Sequence, residues 1–432
     1  MSAQRETDAG LSLLIGEDAV ALLDAAVTAL GGRLVEWSLS QVDHRPARGT
    51  TAAYAARVSW PDGNRVETLG AHLTARLQGV HDEPRTGTVA VSDGERRVLT
   101  WRFPADPALP GLAAACDPRA VTGLLRSFGV DASSVTLRIL SYRPRRRAVV
   151  EATTPGARLF VKVMRPRTVE PIHRRHVLLH EAGLPVPRSL GWSDDGLLVL
   201  APLPGVSLRE AINGSGAAAC SPGQVWDLLG RLPDAVAELP RRTPWAANAR
   251  NYAEVVGACL PAHRNWAHEL AAAVQAGLAG RDAGDDPAHG DFYEAQILVD
   301  AGRITGLLDV DTIGPGHRVD DLGCLLGHLS VLTTMDGATG AGVTDVIARW
   351  SAWFDRLVDR HELRVVAAGV ALSLATGPFR TQEDGWEQAT LRRLDLVGRW
   401  LEVAESAGLP DLRNLSSGTP RHVMSGGNHR GV

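Results

Sequence analysis

The span from His289 to Gly323 constrains this chain more than any other. It reads His289-Gly290-Asp291-Phe292-Tyr293-Glu294-Ala295-Gln296-Ile297-Leu298-Val299, then Gly306-Leu307-Leu308-Asp309-Val310-Asp311, then Asp320-Asp321-Leu322-Gly323. Three acidic points alternate with apolar runs. Ile297 to Val299 and Ile304 to Leu308 have the composition of two short buried strands, with Asp300-Ala301-Gly302-Arg303 as the turn between them. Such a hairpin holds Asp291 and Gln296 ahead of its first strand and Asp309 just after its second. Two carboxylates and one side-chain amide then face one point. Phosphoryl transfer from a nucleotide calls for that donor set: an acid beside the acceptor hydroxyl, and oxygen ligands for magnesium.

A second feature points the same way. Lysine and arginine together number 45, yet Lys162 is the only lysine. A bias from Lys to Arg explains the surface, but a lysine that survives it stands out. A compact ammonium on a flexible stem does what a planar guanidinium does not. Lys162 lies in the strand-like run Arg158-Leu159-Phe160-Val161-Lys162-Val163-Met164, the context of the kinase lysine that holds the α- and β-phosphates.

Together these strings resemble the aminoglycoside phosphotransferase family, the small-molecule branch of the protein-kinase-like fold. That family has a His-Gly-Asp catalytic loop, an Asn five residues after the Asp, a metal Asp after an apolar strand, and a later Asp-Leu pair. The resemblance makes Asp291 the catalytic Asp, with His289 in its loop, Asp309 the metal Asp, and Asp321-Leu322 the later pair. Gln296 stands at the Asn position. Related maltose and glucosamine kinases carry Gln there, and its amide oxygen still suits magnesium, so the departure bears on the acceptor class more than on the metal. The resemblance implies an α+β, protein-kinase-like bilobal fold, with a small antiparallel sheet lobe and a helical lobe. It implies ATP and Mg2+ as cofactors, and a hydroxyl of an aminoglycoside, sugar or amino sugar as acceptor.

Residues 1–118 read as a separate cap-like α+β unit. Glu17 to Leu30 has helical spacing, with an apolar face of Val20, Leu22, Leu23, Ala26, Val27 and Leu30. Strand-like segments follow at Arg33–Val42, Thr51–Trp60, Arg65–Ala75, Thr88–Ser92 and Arg97–Phe103, the last two around the turn Asp93-Gly94-Glu95. Trp37, Trp60 and Trp101 read as core. Pro104 to Pro118 reads as a connecting segment.

Residues 119–204 read as the nucleotide lobe, with strands at Val135–Tyr142, Ala148–Thr153 and Leu159–Met164. The turn Arg143-Pro144-Arg145-Arg146-Arg147 stands where the family covers the nucleotide. It has no glycine; its four arginines either reach phosphates or form a solvated basic turn, and the sequence does not choose among them. The helix from Glu170 to Ala182 is the one expected to supply an acid to Lys162. Glu170 and Glu181 are its only acids, and Glu170 is the preferred partner. His173, His176 and His180 share a helix face without the partners of a zinc site and read as surface residues. Ala201-Pro202-Leu203-Pro204-Gly205 resembles the family's adenine hinge. There Ala201 and Leu203 would offer backbone groups, since Pro202 has no N–H.

Residues 205–408 read as the helical lobe carrying the acceptor pocket. Helical spacing covers Val225–Leu239, Tyr252–Leu278, Cys324–Leu332, Val343–His361, Leu363–Thr376 and Gln382–Ala407. Asp336, Asp355, Asp359, Glu383 and Asp384 are candidate contacts for a cationic or polyhydroxyl acceptor. Residues 409–432 read as a disordered tail.

Composition narrows the class. A formal net charge of −4 gives no electrostatic case for nucleic acid. Cys116, Cys220, Cys259 and Cys324 are scattered, with no CxxC pair, and read as reduced thiols of a cytoplasmic protein. Met1 to Gly10 lacks the apolar core of a signal peptide, and no run of about 18 apolar residues calls for a membrane span. A protein kinase is disfavoured, because Asp321 follows Asp309 by only twelve residues and no Ala-Pro-Glu appears. The expectation is a small-molecule kinase. The alternative is a catalytically weak, nucleotide-binding regulatory protein of the same fold.

Overall fold

A computed structural model describes residues 10–46, 48–74, 86–92, 97–216, 219–335 and 339–406. The expected tail at 409–432, the turn Asp93-Gly94-Glu95, the strand end at Ala75 and the candidate contact Asp336 fall outside these described residues.

The N-terminal unit is a helix on an antiparallel sheet. Helix α1 (Asp18–Ala29) lays Leu22, Leu23 and Val27 on the inner face of strands β1 (Arg33–Arg45), β2 (Gly49–Trp60), β3 (Gly63–Thr74), β4 (Thr88–Ser92) and β5 (Arg97–Arg102). The strand order is β1-β2-β3-β5-β4. Val20, expected on the apolar face, points outward at 45% exposure. Trp101 is core, as expected, whereas Trp37 and Trp60 are only half-buried.

The segment after β5 is more than a connector. Leu109, Leu112 and Ala115 are fully buried in the core of the next sheet, beside Val121 and Leu125 of α2 (Pro118–Ser127). That sheet has the order β6-β7-β8-β10-β9, from β6 (Thr136–Arg143), β7 (Arg147–Thr153), β8 (Arg158–Val163), β9 (Ser189–Trp192) and β10 (Leu197–Leu200). Helix α3 (Pro166–Glu181) packs against β9 and β10.

A two-residue strand, β11 (Val206–Ser207), pairs with β13 (Ile297–Asp300), which forms the expected hairpin with β14 (Arg303–Leu307). The flanking strands β12 (Asp286–Ala288) and β15 (Gly314–Gly316) pair with each other. Helices α4 (Leu208–Ser215), α5 (Pro222–Gly230), α6 (Ala249–Cys259), α7 (Arg264–Gly277), α8 (Arg318–Leu332), α9 (Thr339–Phe354), α10 (Arg360–Ala375), α11 (Gly377–Thr381) and α12 (Trp386–Glu405) build the rest of the lobe. Ser207 caps α4 by accepting the Glu210 N–H at 3.2 Å. Helix α10 is the central post, packed against both α8 and α12.

Three helices read from the sequence as continuous are broken, and the first, Val225–Leu239, stops at Gly230, ahead of Pro233. Tyr252–Leu278 splits at Leu260-Pro261, where proline offers no N–H to a continuing helix. Asp359 starts a new helix by accepting the Glu362 N–H at 2.7 Å. The span Arg360–Thr381 is apolar enough to cross a membrane by length and composition, against the sequence expectation, but 78% of its most apolar 18 residues are buried within the helical lobe.

The N-terminal unit touches both lobes. Gln41 Nε2 donates to the Tyr142 carbonyl at 3.1 Å, and Trp101 Nε1 to the Tyr142 hydroxyl at 2.9 Å. Val42 on β1 packs with Phe379 on α11 and, more loosely, with Trp386 at the start of α12.

Candidate active site

The catalytic-loop string folds as a set of anchors. His289 is fully buried; its Nε2–H donates to the Leu308 carbonyl at 3.0 Å, and its Nδ1 accepts the Asp291 N–H at 3.3 Å. Asp321, at the first turn of α8, accepts the N–H groups of His289 (2.7 Å) and Gly290 (2.8 Å). Burial pushes its carboxyl up to about 6, although His289 and these two N–H groups pull it down. Gly290 takes φ 78°, and a Cβ there would stand 2.7 Å from the Thr312 carbonyl, so the turn requires glycine. These contacts aim Asp291 into the cleft, where Trp245 Nε1–H donates to its Oδ1 at 3.1 Å. Burial raises the Asp291 carboxyl above its ordinary value, against the pull of Arg242 and His289.

Asp309 follows β14 in the left-handed region, φ 52° and ψ 51°, a strain that a non-glycine residue bears only where its surroundings hold it. Lys162 reaches it from β8: Nζ lies 2.8 Å from Asp309 Oδ1 and 2.6 Å from Asp311 Oδ2. Arg147, the first residue of β7, lies 2.8 Å from Asp309 Oδ2. Burial alone would raise the Asp309 carboxyl, but Lys162 and Arg147 together hold it well below the usual range. Gln296 stands beside it, with its amide nitrogen 3.5 Å from Asp309 Oδ2 and 3.0 Å from the Tyr293 hydroxyl.

The donor chemistry fits a hard cation. Asp309 offers a carboxylate and Gln296 an amide that presents oxygen after a half-turn. Asp311 Oδ1 is buried with no hydrogen-bond partner among the described residues.

Asp291, Gln296, Asp309 and Lys162 therefore meet, with His289 and Asp321 behind them. Glu170 does not. It sits on the outer face of α3, 2.5 Å from Arg174 one turn on, and Asp311 takes the place beside Lys162 expected for an acid of this helix. Glu181 is exposed as well. The inner face of α3 presents Val169, Ile172 and His176 instead. His176, expected at the surface, is 1% exposed; its Nδ1–H donates to the Pro187 carbonyl, and burial pushes its pKa down to about 4.

The hinge needs a smaller correction. The Ala201 N–H already donates to the Arg188 carbonyl at 2.9 Å, so Ala201 keeps only its carbonyl for a ligand. The Leu203 N–H has no partner among the described residues.

Sequence reasoning missed several neighbours. Arg147 was one of four arginines in a turn, and its cross-strand pairing with Arg143 was the available signal. Cys324 and His328, four residues apart on α8, place ligand atoms within 4.8 Å of Asp291 and of each other. Burial keeps the thiol protonated and pushes the imidazole down to about 3, so both face Asp291 as neutral groups. Tyr293 stacks on His328 with ring centroids 4.0 Å apart. The candidate acceptor acids are largely engaged elsewhere. Asp355 is in a two-bond pair with Arg364 (2.6 and 2.7 Å), Asp359 caps α10, and Glu383 lies 3.6 Å from Arg393.

The sequence matches a family model described as "Phosphotransferase enzyme family" over residues 142–365, just over half of the chain. A comparison with curated proteins gives no significant match. Among solved structures, the chain is similar to a thermostable mutant of aminoglycoside phosphotransferase APH(4)-Ia, at 14% identity and TM-score 0.46, covering 66% of this chain and 98% of that one. It is also similar to macrolide 2'-phosphotransferase MphH from Brachybacterium faecium, at 20% identity and TM-score 0.40, covering 64% and 97%. Spectinomycin phosphotransferase APH(9)-Ia, in complex with ADP and spectinomycin, gives 13% identity and TM-score 0.45, covering 67% and 98%.

Proposed function

The chain belongs to the phosphotransferase enzyme family, and from that premise we propose that it moves the γ-phosphoryl group of ATP, with magnesium, onto a hydroxyl of a small molecule. The observation that carries this reading is the meeting of Lys162, Asp309 and Gln296 beside the anchored Asp291 loop. A scaffold has no need of a strained carboxylate held by two cations next to a second, half-buried carboxylate.

The roles follow from the chemistry of each group. Lys162 supplies a cation to the α- and β-phosphates, and Arg147 a second one at the base of the covering turn. Leu203 offers an N–H, and Ala201 a carbonyl, to the adenine edge. Asp309 and Gln296, with the spare oxygen of Asp311, are the residues that would hold magnesium. That ion supplies charge neutralisation across the phosphate oxygens. Asp291 orients the acceptor hydroxyl and takes its proton as the bond to phosphorus forms. Its raised pKa brings it nearer to neutral pH, where a base works best. His289 and Asp321 act through Asp291 by fixing the loop.

Calorimetric titration of ATP, with magnesium and with EDTA, tests the nucleotide half of the proposal. Binding that strengthens with magnesium in the native chain, and loses that dependence in Asp309→Asn, is expected. No ATP binding in the native chain would sink the reading.

A further inference from the structure

Beyond the tip of the phosphate-covering turn lies a cavity of about 220 Å³. One water needs roughly 10–15 Å³ of such space, so there is room for a sugar-sized group. Its walls come from all three units. Gln41, Asp43 and Thr51 belong to β1 and β2, Arg143 and Arg146 to the turn, and Arg380 to α11. The walls are basic. Asp43 is the single acid among them, and Arg146 (3.7 Å) and Arg45 (3.5 Å) already share it. Arg143 and Arg380 have no carboxylate partner among the described residues. Arg380 is half-buried, and both burial and Arg143 weaken its hold on a proton. Like charges gathered around a cavity with one shared acid leave positive charge to be matched from outside.

The cavity also stands at the chemical end of the cleft. Arg380 lies near Tyr293 and His328, the stacked, neutral pair beside Asp291. Arg143 pairs across the hairpin with Arg147, which touches Asp309. The adenine hinge at Ala201–Leu203 lies elsewhere, on the connection after β10. A group seated in this cavity is therefore on the side of the phosphate tail and the catalytic carboxylate.

Resting on the phosphotransferase reading above, we propose that this cavity receives the acidic group, a carboxylate or a phosphate, of an anionic hydroxyl-bearing acceptor, gripped by Arg143, Arg146 and Arg380. Cationic aminoglycosides are then poor acceptors, and the N-terminal unit is a wall of the acceptor site.

The test uses the full chain carrying Asp291→Asn, so that ligands bind without turnover. It is titrated with glucuronate, glucose 6-phosphate, glucose and glucosamine, with and without magnesium ATP. At least one of the two anions is expected to bind about tenfold or more tightly than glucose, with glucosamine weakest. The two anions distinguish a carboxylate from a phosphate requirement. Arg380→Gln and, separately, Arg143→Gln are expected to remove most of that advantage while leaving ATP binding within about twofold. Arg143 is exposed, so its variant keeps the test decisive if Arg380→Gln misfolds. Equal binding of all four sugars, a preference for glucosamine, or anion binding indifferent to both substitutions overturns the proposal. Failure to bind magnesium ATP is the separate failure of the phosphotransferase reading, and the anion titrations without nucleotide are unaffected by it.

Discussion

Lys162 is buried, and its ammonium bridges Asp309 and Asp311 at 2.8 and 2.6 Å, while Glu170 pairs with Arg174 on the surface. Lys162→Met strands two mostly buried carboxylates, with Arg147 left beside Asp309 and Arg175, which donates to the Asp311 carbonyl, left near Asp311. Removing one partner of a buried pair costs about 3–5 kcal/mol. Asp311→Asn leaves Lys162 its bond to Asp309 and loses one charged hydrogen bond, roughly 1.5–3 kcal/mol. Once Lys162 is gone, the Asp311 carboxylate has lost its ion-pair partner among the described residues, so the double variant should cost less than the sum of the two. A coupling of roughly 1.5–3 kcal/mol follows. Glu170→Gln removes an exposed helix pair worth about 0.3–0.5 kcal/mol and should add to Lys162→Met without coupling. Urea unfolding of the nucleotide-free chain and its variants at one pH measures both cycles. A Lys162–Glu170 coupling equal to or larger than the Lys162–Asp311 coupling would refute the reasoning.

Four other outcomes follow from the same geometry. Gly290→Ala forces a Cβ against the Thr312 carbonyl at φ 78°, and should cost about 1–3 kcal/mol of stability and most of the activity, measured by unfolding and by ADP release. Asp321 has a folded pKa raised to about 6 from 3.8, so its contribution to stability is complete below 3.8 and is lost as the pH rises through about 6. That loss is roughly 3 kcal/mol, and unfolding curves of Asp321→Asn should lack this step between pH 4 and 6. Arg147→Ala removes one of the two cations on Asp309 and should lower the stability of the nucleotide-free chain by about 1–3 kcal/mol. Arg146→Ala, whose only close acid among the described residues is the partly exposed Asp43, should leave a melting curve nearly unchanged.

What the sequence could show was what lies close together along it. His289, Asp291, Gln296, Asp309 and Asp321 fall within one short span joined by a tight hairpin, so their meeting needs little beyond that hairpin. Lys162 was legible because almost every other cation is arginine. Sequence could not tell which face of α3 turns inward, so it chose Glu170 over Glu181, and Asp311, two residues from Asp309 in the quoted string, went unconsidered. It could not see that the Ala201 N–H is taken by Arg188, since that bond joins segments apart in sequence. Helical spacing ran through Pro261 and Asp359 because both breaks leave the apolar period nearly in step. The basic cavity was out of reach for the same reason as Glu170. Arg380 and Asp43 are far apart along the chain, and only the packing of α11 against β1 brings them to one wall.

The most direct test of the account is phosphate transfer from radiolabelled ATP with magnesium, comparing the native chain with Asp291→Asn across aminoglycosides, maltose, glucosamine and acidic sugars. The variant is isosteric and keeps an oxygen for the Trp245 N–H, so its fold and nucleotide affinity should persist. The account predicts transfer to an acceptor hydroxyl in the native chain and a rate lower by about 10²–10⁴ in the variant, with ATP binding unchanged. Transfer that survives Asp291→Asn at the native rate would contradict it.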